Sequence, residues 1–297
     1  MSDVLQSLSH ELAALTEKAG ASVVRVEGRR RLPATGVIYA PGIVVTANHV
    51  VERDEDLVVG LPDGKTVPAT LAGRDPSTDL AVLRAETGNA PAATWVDPSE
   101  LKVGHLVLAL GRPAESIMAT LGVISALEDG SKLPSEMQID TWLQTDVVMY
   151  PGFSGGPLVG ADGKLLGINS SALMRGISLA VPAPTIRRVA DTLLQHGKMK
   201  RGFLGVGAQA AKLPRALAER LGQEMGLIVM TVEPGSPADQ GGLYMGDTLV
   251  ALDGHPLREP EALIRALTGD MIGKKVVLKV VRSGELREIA VTIGERK

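Results

Sequence analysis

The chain has 297 residues, about twice the length of one ordinary domain, and can bury a sizeable core without staples. Hydrophobic residues make up 44% and charged residues 22%, too apolar a balance for disorder; 31 Lys and Arg against 34 Asp and Glu leave a net charge of −3, without the basic surplus that nucleic-acid binding needs. There is no cysteine, which excludes disulfides, a thiolate nucleophile and cysteine-bound zinc.

Leu5, Leu8, Leu12 and Leu15 recur at helical spacing and predict an amphipathic helix over residues 3–18. The opening residues lack the basic start and apolar stretch of a secretory signal, so a cytoplasmic protein is expected if this N-terminus is complete, and a cell-envelope protein otherwise. No run of 18 apolar residues occurs, and no transmembrane segment is expected. From about Ala21 to Val181 short apolar runs alternate with Gly, Pro and Asp: Ser22–Val26, Gly36–Tyr39, Ile43–Thr46, Leu57–Leu61, Asp79–Leu83, Leu106–Leu110 and Lys164–Ile168. Asp-Gly turns at Asp63-Gly64 and Asp162-Gly163 read as hairpins, and many short strands with regular turns predict an antiparallel barrel or sandwich. With aromatics at only 2%, its core must be built from Val, Leu, Ile and Ala. A helix follows Pro184, carried by Ile186, Val189, Ala190, Leu193 and Leu194 and ending at Gly197.

His196–Gly202 reads as a linker, after which the texture changes to mixed α and β. Helices are predicted over 214–221 and 260–267, strands over 227–232 and 247–252, and a closing hairpin over 275–281 and 287–293. The division expected is residues 1–20, 21–197 and 198–297.

Tyr150-Pro-Gly-Phe-Ser-Gly-Gly-Pro-Leu158 is the densest chemical signal. Glycines on both sides of Ser154 permit tight positive-φ geometry, expose the hydroxyl and aim backbone N–H groups into one concavity. A glycine-rich turn with an incidental serine is the bland alternative. A serine nucleophile needs a base and an orienting acid. Of five histidines, His10, His105, His196 and His255 fit surface or capping roles, whereas His49 stands where an apolar strand runs out. Asp79, just ahead of the apolar Leu80–Leu83 run, is the acid candidate; an Asx-type cap is its plain reading, and Asp146 is a rival acid.

Thr46-Ala47-x-His49, Asp79-Leu-Ala-Val-Leu83 and Gly152-x-Ser154-Gly-Gly-Pro157 fall in the order His, Asp, Ser, and together resemble the chymotrypsin-like serine proteases. Arg201-Gly-Phe-Leu-Gly-Val206, Glu233-Pro-Gly-Ser-Pro-Ala238 and Gly242-Leu-Tyr-Met-Gly-Asp247 resemble the PDZ domain of bacterial HtrA/Deg proteases, and the two likenesses cover residues 21–297. The resemblance implies a mainly β fold: a chymotrypsin-like double β-barrel followed by a small α+β PDZ domain. It implies a His49–Asp79–Ser154 triad, an oxyanion hole of the Gly152 and Ser154 N–H groups, and a primary pocket at Met149, Ile177, Ser178 and Leu179. None of these pocket side chains is charged, so cleavage after small or medium aliphatic residues is expected. Peptide capture is implied at Phe203, Leu204, Gly205 and Val206.

The partners implied are unfolded polypeptides at the protease site, C-terminal or extended peptides at the PDZ domain, and a homo-oligomer, by resemblance a trimer. No cofactor, metal, nucleic acid or membrane span is expected. The sequence departs from the family at Phe153, where Asn is usual, at Pro33-Ala-Thr-Gly36, where glycine-serine-glycine is usual, and in having no aromatic residue before Tyr39. Phe153 motivates an alternative, a proteolytically silent peptide-binding or chaperone-like scaffold.

Overall fold

The computed structural model describes residues 2–30, 32–129, 141–174, 176–200, 202–267 and 271–295; Arg201, which opens the PDZ-like motif, lies outside the described residues. The chain divides into two compact units, Met1–Met199 and Lys200–Lys297.

Six strands close the first barrel: β1 (Val23–Glu27), β2 (Ala34–Ala40), β3 (Ile43–Ala47), β4 (Leu57–Gly60), β5 (Thr66–Asp75) and β6 (Leu80–Ala85), in the order β1-β2-β3-β6-β5-β4. Six more close the second: β7 (Leu106–Gly111), β8 (Met118–Asp129), β9 (Thr141–Thr145), β10 (Pro157–Gly160), β11 (Leu165–Ser170) and β12 (Ser178–Pro182), in the order β10-β11-β12-β9-β8-β7. Read around the ring, the two orders are the same topology. Closure leaves no free sheet edge, so short strands of modest pattern suffice. Apolar side chains fill both interiors: Val24, Ile38, Val44 and Leu83 in the first, Ile124, Leu143, Leu158 and Phe153 in the second.

Among the described residues two α-helices complete this unit. In α1 (Ser2–Gly20), Leu12 and Leu15 lie against a core cluster that includes Leu108 and Val159 of the second barrel, while Val4 and Leu5 stay exposed. The α2 helix (Ala183–His196) buries Ile186, Val189, Ala190 and Leu193 and packs on β5, β6 and β11, touching both barrels. Each of these larger aliphatic side chains contributes about 1.5–3 kcal/mol by leaving water. Gly197, with φ +71°, ends α2 in the left-handed cap position and donates its N–H to the Leu193 carbonyl at 2.8 Å.

The second unit is a five-strand antiparallel path, β14-β15-β16-β18-β19, with three short α-helices among the described residues. Its elements in chain order are β13 (Gly202–Phe203), β14 (Val206–Lys212), α3 (Arg215–Leu221), β15 (Met225–Val232), α4 (Pro237–Gln240), β16 (Thr248–Leu252), β17 (His255–Pro256), α5 (Pro260–Ala266), β18 (Lys275–Arg282), β19 (Glu285–Thr292) and β20 (Gly294–Glu295). Among the described residues no helix is long and apolar enough to cross a membrane.

One ion pair ties the start of β16 to the end of β18. Arg282 grips Asp247 with Nε on Oδ1 and Nη2 on Oδ2, both at 2.7 Å, and Tyr244 N–H adds a third donor at 2.9 Å. Burial pushes the Asp247 carboxyl up, but hydrogen bonds from Arg282 and from the Tyr244 backbone outweigh it and hold the group below the usual carboxylate value. A depressed carboxyl stabilises fully above its unfolded value of about 4, and that contribution is lost as pH falls through the lower folded value. Asp247→Asn is therefore expected to cost roughly 2–3 kcal/mol at pH 7, somewhat less than a fully buried pair because Arg282 keeps a wet edge. The deficit should shrink below pH 4, read by amide hydrogen exchange along Lys275–Arg282.

Candidate active site

Sheet register brings the first two candidates together. The antiparallel partners Ala47 and Leu80 end β3 and begin β6, so His49, two residues past one, meets Asp79, one residue before the other. His49 sits in a single 3-10 turn, Asn48–Val50. Its Nδ1 lies 2.7 Å from Asp79 Oδ2, and its backbone N–H donates to Asp79 Oδ1 at 2.9 Å. Asp79 has φ +54°, a left-handed conformation that a short polar residue tolerates. The turn behind it is shaped by Asp75, whose carboxylate accepts from Ser77 N–H, Ser77 Oγ and Thr78 Oγ1 at 3.1, 2.7 and 2.8 Å. Asp79 is thus placed by an Asx turn made by a different aspartate. Its side chain is 6% exposed and that of His49 is 27% exposed, so the acid is enclosed while the ring keeps an open edge. Asp146, the rival acid, instead accepts the Val123 N–H at 2.6 Å.

Ser154 lies on a turn clamped between the barrels. A Cβ on Gly155 would stand 2.0 Å from the Thr35 carbonyl oxygen, and one on Gly156 would stand 2.0 Å from that of Leu110. Gly155 also has φ +87°, so glycine is required there twice over. Thr35, fully buried in β2, joins the parts: its Oγ1 donates to the Gly152 carbonyl at 2.6 Å and accepts the Arg112 N–H at 2.8 Å, and its N–H donates to the Ser154 carbonyl at 3.3 Å. Gly155 N–H donates to Asn169 O at the end of β11, and Asn169 N–H donates back to Gly156 O. The Gly152 and Ser154 N–H groups have no acceptor among the described residues, and Gly152 has φ +93°. Two unpaired donors beside a serine hydroxyl form a site that can receive an oxyanion.

Phe153 is fully buried among Ala109, Ile124, Leu158 and Ala180, and its ring lies edge-on to Tyr150 at 5.8 Å. A Cβ on Gly111 would come within 2.5 Å of the Phe153 ring, so that glycine makes its room. The residue before the nucleophile candidate therefore points into the barrel core, not over the serine. Met149 packs on the same core. Ser178 Oγ donates to the Val147 carbonyl at 2.9 Å, whereas Ile177 and the buried Leu179 pack in the other cluster, with Trp142 and Ile186. Strand alternation explains this: Ser178 and Ala180 share one face of β12 and Leu179 takes the opposite one.

Two residues at the end of β11 have no signal in the local sequence. Ser170 Oγ donates to Asp79 Oδ2 at 2.5 Å, adding a third contact to the acid. Ser171 Oγ lies 2.9 Å from Ser154 Oγ, and the Ser171 N–H donates to the same oxygen at 3.4 Å. Among the described residues no hydrogen bond joins Ser154 to His49. Only the fold brings residues 79, 154 and 171 together, and the signal that would find them is the pairing of β11 with the serine turn.

Residues 34–168 match the trypsin-like peptidase domain and residues 202–293 the PDZ domain. The solved HtrA-type protease AlgW with a tripeptide is 31% identical and superposes with a TM-score of 0.79 over 96% of this chain and 97% of its own. The chain belongs to the HtrA family. The serine endoprotease of Yersinia pestis is 29% identical, with a TM-score of 0.77 over 95% and 97% of the two chains. Probable periplasmic serine endoproteases described as DegP-like, from Halomonas elongata and Chlamydia pneumoniae, are 38% and 36% identical over 91% of this HtrA chain. The chain spans 57% and 56% of their lengths. The expectation of a cytoplasmic protein is corrected by these relatives, whose names place them in the periplasm and point to the cell envelope.

In the PDZ domain of this HtrA protein, Leu204 is buried, and Gly205, with φ +85°, stands so close to Ser236 that a Cβ would lie 2.2 Å from the Ser236 Cβ. The Leu204 and Gly205 carbonyls accept from Ala238 and Glu233 at 2.8 Å each, while their own N–H groups have no acceptor among the described residues. Phe203 belongs to β13, and Val206 opens β14, which ends the sheet path and packs near α5.

Because the Phe153 ring is core, Phe153→Asn should destabilise the protease domain by about 3–5 kcal/mol, the cost of losing a buried aromatic and burying an amide. Thermal unfolding of the full chain checks this. A Tm equal to that of the wild type would contradict the packing described.

Proposed function

We propose that this chain is a serine endopeptidase of HtrA type that cleaves unfolded or damaged proteins, with peptide binding at its PDZ domain. The observation that supports it most directly is the 2.7 Å contact of His49 Nδ1 with Asp79 Oδ2 beside a serine turn carrying two unpaired N–H groups. In this reading His49 takes the Ser154 proton as Oγ attacks the scissile carbonyl, then gives it to the leaving amine. Asp79 fixes the tautomer with the proton on Nδ1 and stabilises the imidazolium. The Gly152 and Ser154 N–H groups receive the oxyanion.

Met149 and the β12 strand around Ser178 present no charge, in keeping with small or medium aliphatic residues before the cleaved bond. The unpaired Leu204 and Gly205 N–H groups suit a terminal carboxylate, and the outer edge of β14 suits an added peptide strand. A homo-oligomer, a trimer by family resemblance, and a place in the cell envelope belong to the same proposal. The silent-scaffold reading draws its support from the missing Ser154–His49 hydrogen bond, although such bonds are often long in unliganded enzymes.

Labelling by a fluorophosphonate probe, read by intact mass with and without unfolded casein, decides between the two. Labelling abolished by Ser154→Ala and strongly reduced by His49→Ala is expected, and Asp79→Asn should lower casein turnover about 10⁴-fold. No labelling in either condition would favour the scaffold. Cleavage-site mapping by mass spectrometry tests the pocket separately: a majority of Lys or Arg before the cut would refute the aliphatic preference.

A further inference from the structure

The ends of β3, β6 and β11 converge on the site, and the last of them brings two adjacent serines with different partners. Ser170 is buried and its hydroxyl is committed to Asp79 Oδ2. Ser171 is exposed, yet its hydroxyl and its backbone N–H both reach Ser154 Oγ, at 2.9 and 3.4 Å. The second serine therefore holds the reacting atom itself.

A hydroxyl has one proton and two lone pairs. The Ser171 N–H occupies a lone pair of Ser154 Oγ. If the Ser154 proton points to Ser171 Oγ, none remains for His49; if the Ser171 proton points to Ser154, a second donor draws on the same oxygen. The first arrangement leaves His49 Nε2 without the proton it has to accept; the second occupies both lone pairs of Ser154 Oγ, and each opposes attack. The geometry points to Ser171 as a holding residue that keeps the Ser154 hydroxyl off His49 in the resting state. Activation then exchanges the Ser154–Ser171 hydrogen bond for one from Ser154 Oγ–H to His49 Nε2, with no covalent bond made or broken. This rests on the protease reading, in that Ser154 is taken as the nucleophile and His49 as its base.

The test uses the full chain as wild type, Ser171→Ala and Ser171→Thr, with Ser171→Gly as a second hydroxyl-free form and Ser154→Ala as the blank. Since Ser171 is exposed, its variants should keep the wild-type Tm. Second-order labelling rates with a fluorophosphonate should rise about twofold to tenfold in the Ala and Gly variants, the worth of one neutral hydrogen bond, and stay near wild type in the Thr variant. A readout that a merely structural role would not move is the ¹⁵N shift of His49 Nε2. It should move towards the hydrogen-bonded range in Ser171→Ala and stay put in Ser171→Thr. Rates in Ser171→Ala equal to or below wild type, or an unmoved Nε2, would overturn the assignment. If no form labels at all, the protease reading falls, and the Nε2 shift alone decides whether Ser171 holds Ser154.

Discussion

Everything at the site depends on the way the Gly152–Gly156 turn is trapped between two closed barrels. Each barrel alone supplies only half of the arrangement: His49 and Asp79 come from the first, Ser154 and the serines of β11 from the second. What fixes one half against the other is the approach of Gly155 to the Thr35 carbonyl, closer than any Cβ permits, while Gly156 lies as close to the Leu110 carbonyl of its own barrel. Thr35 turns that proximity into defined geometry by binding the Gly152 carbonyl. With that carbonyl held, the Gly152–Phe153 peptide is fixed in orientation. The departure of Pro33-Ala-Thr-Gly36 from the usual family word thus keeps a hydroxyl where it is used.

The acid is held with equal care. A carboxylate that is 6% exposed costs stability unless its oxygens are satisfied, and Asp79 receives the His49 ring, the His49 N–H and the Ser170 hydroxyl. Its left-handed backbone is the conformation in which the side chain faces back toward β3, and Asp75 supplies the turn that makes this conformation stable. The buried charge is paid for by contacts that also aim it.

Much of this was legible in the residues. The order His49, Asp79, Ser154 and the glycines around Ser154 carry the proposed chemistry, because reacting groups and tight turns leave few choices of residue type. The α2 helix and the closing β18–β19 hairpin follow from clean periodicity and a Ser-Gly turn. Two of the strands that the sequence did not predict have a broken pattern. β5 carries Pro68 and several exposed positions, and β14 shows polar and small residues because it is an edge largely open to solvent. The Asn-to-Phe departure at position 153 also reads ambiguously without coordinates, since a phenylalanine beside a nucleophile can cover the site or fill the core. Only the placement of Gly111 against the ring decides it. Ser170 and Ser171 lie in an unremarkable strand end, and their role exists only in three dimensions.

These features bear on where control of such a site resides. The Phe153 ring anchors the turn from below, in the second barrel core, while Thr35 holds it from the first barrel. Arg112 extends the same network: its N–H reaches Thr35 Oγ1, and its guanidinium, shielded from water and without a carboxylate partner among the described residues, donates to the carbonyls of Gly20, Val23 and Glu115. Burial lowers the pKa of this group, and the carbonyl acceptors solvate its charge. The serine turn is therefore tied back to the end of α1, and rearranging it means breaking several buried contacts at once. The Ser154 hydroxyl is different, since it is held by the hydroxyl and N–H of one exposed residue, Ser171. In the resting state proposed for this site, the step to readiness is one side-chain rotation.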